Sequence, residues 1–157
     1  MPLPDFTAGN VLTAAQLDAA FAAPFPVGID AWTSFTPTLV QGATVSKTVA
    51  HAQYMKIGRL CIVNYALNCT SSGTAANVIV LGLPLPAATA AFGGVGSGMI
   101  FDASAGTFWN GAAIINDANT VKFASYNAGN YLGGAGFTAA LASGDIVSAG
   151  IFYQTAS

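Results

Sequence analysis

The sequence predicts an all-β protein, built as an antiparallel sandwich, barrel or jelly roll. Residues 60–70 alternate apolar and polar side chains with a period of two, which is the pattern of a strand with one buried face. Further short apolar runs follow at regular spacing and are separated by Gly, Asn, Asp and Ser. Short, evenly spaced strands with turn residues between them are typical of antiparallel all-β architectures.

The individual strands are predicted from Trp32 onward. A strand at 52–55 turns back through 56–59 as a tight hairpin, with Gly58 supplying the unusual φ, into the strand at 60–70. The glycine-rich stretches AFGGVGSG and YLGGAGF match no phosphate-binding motif, so we expect surface loops there. Further strands are predicted at 44–50, 77–83, 97–102, 107–115, 119–126 and 145–154.

A short helix is predicted ahead of the strands. Thr13 fits the first position of a capping box, Leu12 and Leu17 fit a hydrophobic staple, and Pro24 ends the helix. Leu17 and Phe21 then form a narrow apolar stripe. A helix of about three turns is marginal in water by itself, so this stripe needs a partner from the rest of the chain or from another chain.

The composition excludes several classes of function. Only 6% of the 157 residues are charged, and the net charge is −2, so the basic patch that nucleic acid or anionic lipid requires is missing. Residues 78–100 are apolar, but Pro84, Pro86 and five glycines interrupt them, which argues against membrane insertion. No secretion signal is recognisable at the N-terminus. Low charge with many small residues favours a subunit whose surface is largely covered by copies of itself or by neighbours.

The sequence offers little chemistry for catalysis. His51 is the one histidine, we place it between two strands, and no G-x-S-x-G motif accompanies it. Cys61 and Cys69 fall in one strand, about 26 Å apart if it is continuous, so they cannot form a disulfide. Asp102 and Asp117 are expected to cap turns. We therefore predict no catalytic residue, no metal site and no cofactor.

Aromatic residues give the one indication of ligand recognition. Trp109, Tyr126 and Tyr131 lie close in sequence to Asn110 and Asn130. Exposed aromatic rings beside amides are a common arrangement for binding sugars, because the rings stack on the sugar and the amides hydrogen-bond to it. These three residues are the candidate glycan-binding residues. Core packing explains each of them at least as well.

Several short motifs resemble a recurrent module of bacteriophage tail and fibre proteins. In that module a Trp and a Thr-Pro-Thr open the domain, an Ala-x-Tyr-x-x-x-Gly and an alternating strand follow, and a Leu-Pro comes next. The closing GDIVSAGIFY is similar to the Gly-Asp and final strand of such jelly rolls, and TAGNVLTAAQLDAAF resembles an N-terminal segment of minor tail proteins from siphophages of actinobacteria. The matching residues are Trp32, Thr36-Pro37-Thr38, Ala52, Tyr54, Gly58 and Leu83-Pro84.

The resemblance implies a trimeric virion protein without enzymatic activity. Residues 1–31 would form an anchor helix and a Pro-rich linker, and residues 32–157 a jelly-roll-like sandwich as the head domain. Leu12, Leu17 and Phe21 would attach the chain to other virion proteins or to its own copies. Because a coiled-coil shaft is missing, the chain would be a short tail-tip subunit, made in the host cytoplasm, with a role in host attachment.

Three alternatives remain open at this point. A capsid decoration or head-fibre protein would need the same anchor and the same head. A soluble carbohydrate-binding module would use the aromatic residues but has no need of the capped helix. A small hydrolase using His51 would need a nucleophile motif that the sequence does not show.

Overall fold

The computed structural model describes residues 31–88, 94–126, 130–133 and 139–156, and within them every regular element is a β-strand. The predicted helix with Leu12, Leu17 and Phe21, and residues 24–30 of the linker, lie outside these residues. The strands are β1 (Thr33–Ser34), β2 (Leu39–Gln41), β3 (Ala43–Thr44), β4 (Lys47–Ile57), β5 (Leu60–Cys69), β6 (Ile79–Gly82), β7 (Gly94–Asp102), β8 (Thr107–Asp117), β9 (Thr120–Ser125) and β10 (Ile146–Gln154).

The ten strands form one sheet, in the order β1-β4-β5-β10-β7-β8-β9-β6-β2-β3. Every pair of neighbours is antiparallel, so the all-β, antiparallel prediction is confirmed. Strand β10 lies between β5 and β7, which brings the last strand of the chain to the middle of the sheet. The two strands at the ends of the order, β1 and β3, are two residues long.

The sheet curls so that its inner face closes around a core. The Tyr65 hydroxyl of β5 donates a hydrogen bond of 2.7 Å to the Gly82 carbonyl oxygen of β6. Four strands separate β5 from β6 in the sheet, so a flat sheet would hold them roughly 24 Å apart. The Tyr153 hydroxyl of β10 makes a second such bond, of 2.7 Å, to the carbonyl oxygen of Leu85 after β6.

The core consists of the inward-facing residues of the alternating strands. On β5 the residues Cys61, Val63 and Leu67 are fully buried, as the period of two predicts. On β10 the buried residues Val147 and Ile151 take the same role, directly opposite Leu67 and Val63. Each of these buried Val, Leu and Ile side chains contributes about 1.5–3 kcal/mol by leaving water.

The middle of the chain differs from the prediction at His51. Residues 47–57 form a single strand, and His51 lies within it, not between two strands. The pairing of β4 with β5 shifts register between Val49 and His51, so a β-bulge bends the strand there. An extra residue in the bulge breaks the alternation of side chains, and this broken alternation made one strand look like two.

The first glycine-rich stretch is also ordered differently from the prediction. The strand predicted at 97–102 begins three residues earlier, so residues 94–96 belong to β7 and do not form a surface loop. A side chain at Gly98 would overlap the ring of Phe123, and one at Gly96 would overlap the Gly150 carbonyl oxygen. The glycines are therefore required by close packing of the curled sheet. Of the second stretch, YLGGAGF, residues 134–137 lie outside the described part.

The predicted turn residues occupy the expected places. Gly58 connects β4 and β5 with a φ of 58°. Asp102 accepts hydrogen bonds from the hydroxyl of Ser104 and from the backbone N–H groups of Ser104 and Ala105, and these bonds lower the pKa of Asp102. Asp117 accepts from the Thr120 hydroxyl at 2.6 Å, and this bond lowers the pKa of Asp117. Both carboxylates thus cap turns, as predicted.

Gln41 holds a loop segment to the edge of the sheet. Its side chain is fully buried; Oε1 accepts from the Leu141 N–H at 2.7 Å, and Nε2 donates to the Ala139 carbonyl oxygen at 2.9 Å. Leu141 is itself fully buried. Gly73 packs directly on the Gln41 amide and leaves no room for a larger residue. One amide side chain therefore satisfies two backbone groups that are distant in sequence.

Replacing Gln41 by Leu should destabilise the protein strongly. The change keeps the volume but leaves the Leu141 N–H and the Ala139 carbonyl without their partner. We expect a loss of about 3 kcal/mol in the free energy of unfolding, or a melting temperature lower by roughly 6–12 °C. Gln53→Leu is the matched control, because the Gln53 amide makes an exposed bond of 3.4 Å to Ser34. Equal melting temperatures for the two variants would contradict this role of Gln41.

Candidate functional site

A shallow groove crosses the outer face of the sheet at its centre. Its volume is about 490 Å³, within the size range of small-molecule sites. The strands β5, β10, β7 and β8 form it, and Tyr126, which follows the last residue of β9, stands at one end. The described residues that line it are Asn64, Tyr65, Ser97, Gly98, Met99, Asn110, Tyr126, Ser148, Ala149 and Gly150.

The groove exists because small residues meet at its floor. Gly150 of β10 lies between Asn64 of β5 and Ser97 of β7 in the same cross-strand row. Since Gly150 has no side chain, the larger neighbours stand around an empty position. A Cβ added at Gly150 would meet the Asn64 Oδ1 at 3.4 Å, an ordinary contact distance, and no other atom within 4 Å. A side chain at this position would therefore fill the groove without disturbing the backbone.

Uncharged hydrogen-bonding groups surround this floor. Asn64 and Asn110 are exposed and present carboxamides from β5 and β8, each of which can donate and accept. Ser97 and Ser148 add hydroxyls from β7 and β10. Tyr126 is 63% exposed and offers an aromatic ring with a hydroxyl at its tip. This combination suits a ligand that carries hydroxyl or amide groups on an apolar ring.

The three predicted glycan-binding residues do not share one surface. Tyr126 lines the groove. Trp109 lies opposite Ile100 on the inner face and packs against the core, so its position favours the core-packing alternative. Tyr131 lies in an isolated bridge with Ala124, outside the groove, and the Lys122 ammonium sits 4.1 Å from its ring centroid. The anchor residues Leu12, Leu17 and Phe21 lie outside the described residues.

No catalytic constellation forms around His51 in the described residues. His51 is exposed opposite Ala66, and Ser148 lies opposite Ala66 on the other side, two strands or about 10 Å from His51.

Burial raises the pKa of Cys61 and, with the charge of Asp145 nearby, raises the pKa of Cys69 to about 11. The thiols are therefore protonated at neutral pH and poor nucleophiles. Within the described ranges no three His, Cys, Asp or Glu residues are grouped to hold a metal ion.

Sequence reasoning identified Tyr126 and the nearby Asn110 but missed the other groove residues. Asn64, Ser97, Ser148 and Gly150 are unremarkable polar or small residues at outward positions of their strands. They converge because β10 pairs with both β5 and β7. The alternation of each strand shows which residues face outward. It does not show which strands are neighbours, so the sequence does not reveal that these outward residues meet.

Comparison of the chain with protein-family models, with curated proteins and with solved structures gives no match. Among the residues that the structure describes, none belongs to a helix with the length and hydropathy to cross a membrane. The apolar segment 78–100 contributes β6 and most of β7.

Replacing Trp109 by Ala should test its position on the inner face. We expect a loss of about 2–4 kcal/mol in the free energy of unfolding, because the large ring is removed from its contacts with the core. Tyr126→Ala is the control. Because Tyr126 is exposed, removing its side chain should lower the free energy of unfolding by no more than about 0.5 kcal/mol. Denaturant unfolding measures both. A Trp109→Ala variant as stable as Tyr126→Ala would show that Trp109 is not part of the core.

Proposed function

We propose that this chain is a structural and adhesive domain of a bacteriophage virion, and that it binds a saccharide of the host surface in the outer groove. The protein carries out no catalysis in this proposal. It assembles into the virion and attaches the particle to the host surface. The tail tip is the location that we favour.

The groove is the observation that carries the adhesive part of the proposal. Two carboxamides, two hydroxyls and an exposed tyrosine face solvent around a position that has no side chain. Saccharides present the matching groups, since their hydroxyls need donors and acceptors and their ring faces pack on aromatic side chains. The groove is also open, as a site for a surface polymer must be.

The virion part of the proposal depends on the sequence resemblance and on the composition. The motifs from Trp32 to Leu83-Pro84 resemble the tail and fibre module, and 6% charged residues suit a subunit that is covered by neighbours. The jelly-roll class belongs to this proposal as well. It is supported by the curled antiparallel sheet, in which β5 and β6 face each other across the core.

Filling the groove should abolish attachment. Gly150→Leu places a side chain where the ligand would lie, and Tyr126→Ala removes the aromatic wall. We expect each variant to bind actinobacterial cell walls at least about tenfold more weakly than the unchanged protein, a loss of about 1.4 kcal/mol. Sedimentation of the purified protein with isolated walls measures this.

Phe152→Ala is the matched control for this experiment. Phe152 is 57% exposed on β10 but does not line the groove, so binding should be unchanged. Unchanged binding by Gly150→Leu would refute the adhesive role. Loss of oligomerisation in Gly150→Leu would instead identify the groove as a contact between copies.

Leu17→Asp should separate anchoring from folding. The change puts a charge into whatever surface covers the Leu17–Phe21 stripe, at a cost of several kcal/mol. We expect soluble, β-rich protein that light scattering shows to be about three chains in size, and that no longer incorporates into particles. Thr13→Ala should act in the same direction and more weakly, by about 1 kcal/mol. A monomeric protein would contradict the trimer, and a much lower melting temperature would show that the helix packs on its own head domain.

A further inference from the structure

The side chains around the groove also restrict the chemical class of its ligand. None of the described residues that line it is charged. The charged side chains that the structure describes lie at strand ends, in turns or beside Tyr131. They are Lys47, Lys56, Arg59, Asp102, Asp117, Lys122 and Asp145.

Among the described cations, Lys122 is the one to consider for the groove, because it belongs to β9, the strand that Tyr126 follows. However, Lys122 lies opposite Ile114 and Val80, displaced along the strand from Asn110 and Tyr126. Its ammonium is placed over the ring of Tyr131. The internal segments 89–93, 127–129 and 134–138 contain no charged residue in the sequence, so they offer no counter-ion either.

An anionic ligand would therefore lose hydration in the groove and gain only neutral donors, with no cation among the described lining residues to offset its charge. A uronate carboxylate or a phosphate group needs a cation or several aligned donors to replace its water. The carboxamides and hydroxyls of the groove instead match neutral groups, which both donate and accept. The groove therefore favours neutral ligands over charged polymers.

One neutral group fits the arrangement particularly well. Met99 lies between Ser148 and Asn110 in its cross-strand row, and Gly150 leaves an open position in the next row. An acetamido group has one N–H, one carbonyl oxygen and one methyl. Asn64 or Asn110 can hydrogen-bond to its amide while the thioether of Met99 packs on its methyl.

We infer that the groove binds a neutral, N-acetylated saccharide, an inference that rests on the adhesive function proposed above. The acetamido group lies at the floor formed by Gly150 and Met99, and a sugar ring packs on Tyr126. Binding uses hydrogen bonds and ring contacts, so it depends little on ionic strength.

Three oligosaccharides of equal length test this inference by calorimetry on the full chain. The probes are an oligomer of N-acetylglucosamine, an oligomer of glucose and an oligomer of galacturonate. We expect the N-acetylated probe to bind about tenfold more tightly than the glucose probe, and more tightly still than the uronate. Its affinity should change less than twofold between 50 and 500 mM salt. Gly150→Leu should abolish this binding, and Phe152→Ala should not.

A charge introduced into the groove gives a second measurement. Ser97 is exposed and lies in the row of Gly150, so Ser97→Lys should be tolerated by the fold. We expect this variant to bind the uronate more tightly than the unchanged protein does, and in a salt-dependent way. Unchanged uronate binding by Ser97→Lys would place the ligand elsewhere and overturn the inference.

The remaining outcomes distinguish a wrong ligand class from a wrong adhesive function. If the unchanged protein binds cell walls through the groove but prefers the uronate or the glucose probe, the ligand class is wrong and the adhesive function stands. If it binds no probe, and Gly150→Leu sediments with cell walls as the unchanged protein does, both are wrong.

Discussion

The hydrogen bond from the Tyr65 hydroxyl to the Gly82 carbonyl oxygen joins two strands that four others separate. It forms only because the sheet curls back on itself and brings β5 and β6 together. Curling is what allows one sheet to make its own core, because the inner faces of β5, β10 and β6 then pack against each other and no second layer is needed. Tyr65 is 3% exposed, so its hydroxyl is shielded from water in the curled sheet and needs the Gly82 carbonyl oxygen as its partner.

The curl distributes glycine unequally between the two faces of the sheet. On the inner face, the ring of Phe123 occupies the position that a side chain at Gly98 would need. The Ala124 carbonyl oxygen and Leu132 do the same at Gly111. On the outer face, the space above Gly150 is open to solvent. The same residue type thus tightens the core on one side and creates the groove on the other. This difference explains why substitution at Gly150 is a probe of binding, whereas substitution at Gly98 would test only packing.

The sequence predicted those features that depend on neighbouring residues. The alternation of β5, the turn at Gly58 and the caps at Asp102 and Asp117 are local, and the structure has all three. The continuity of β4 was missed because a bulge beside His51 hides the period of two.

Features that depend on contacts between distant residues were not predictable in this way. The Gln41 side chain bonds to Leu141, which is 100 positions away in the chain. The groove joins outward residues of β5, β7, β8 and β10, and only the pairing of the strands brings them together. For the same reason Trp109 and Tyr126 looked alike in sequence, although one faces the core and the other faces solvent.

The edges of the sheet determine whether another copy of the chain can add a strand to it. Strands β1 and β3 offer two residues each, which is too little backbone for another chain to extend the sheet. The longer β4 is paired with β1 only at Gln53 and Tyr54, and its remaining stretch is bent by the bulge near His51. Short edge strands and a bulged neighbour disfavour strand addition, the route by which exposed sheets form fibrils, at both ends of the described sheet. In a chain with so little charge to keep its copies apart, these edges are the features of the described sheet that act against edge-to-edge pairing.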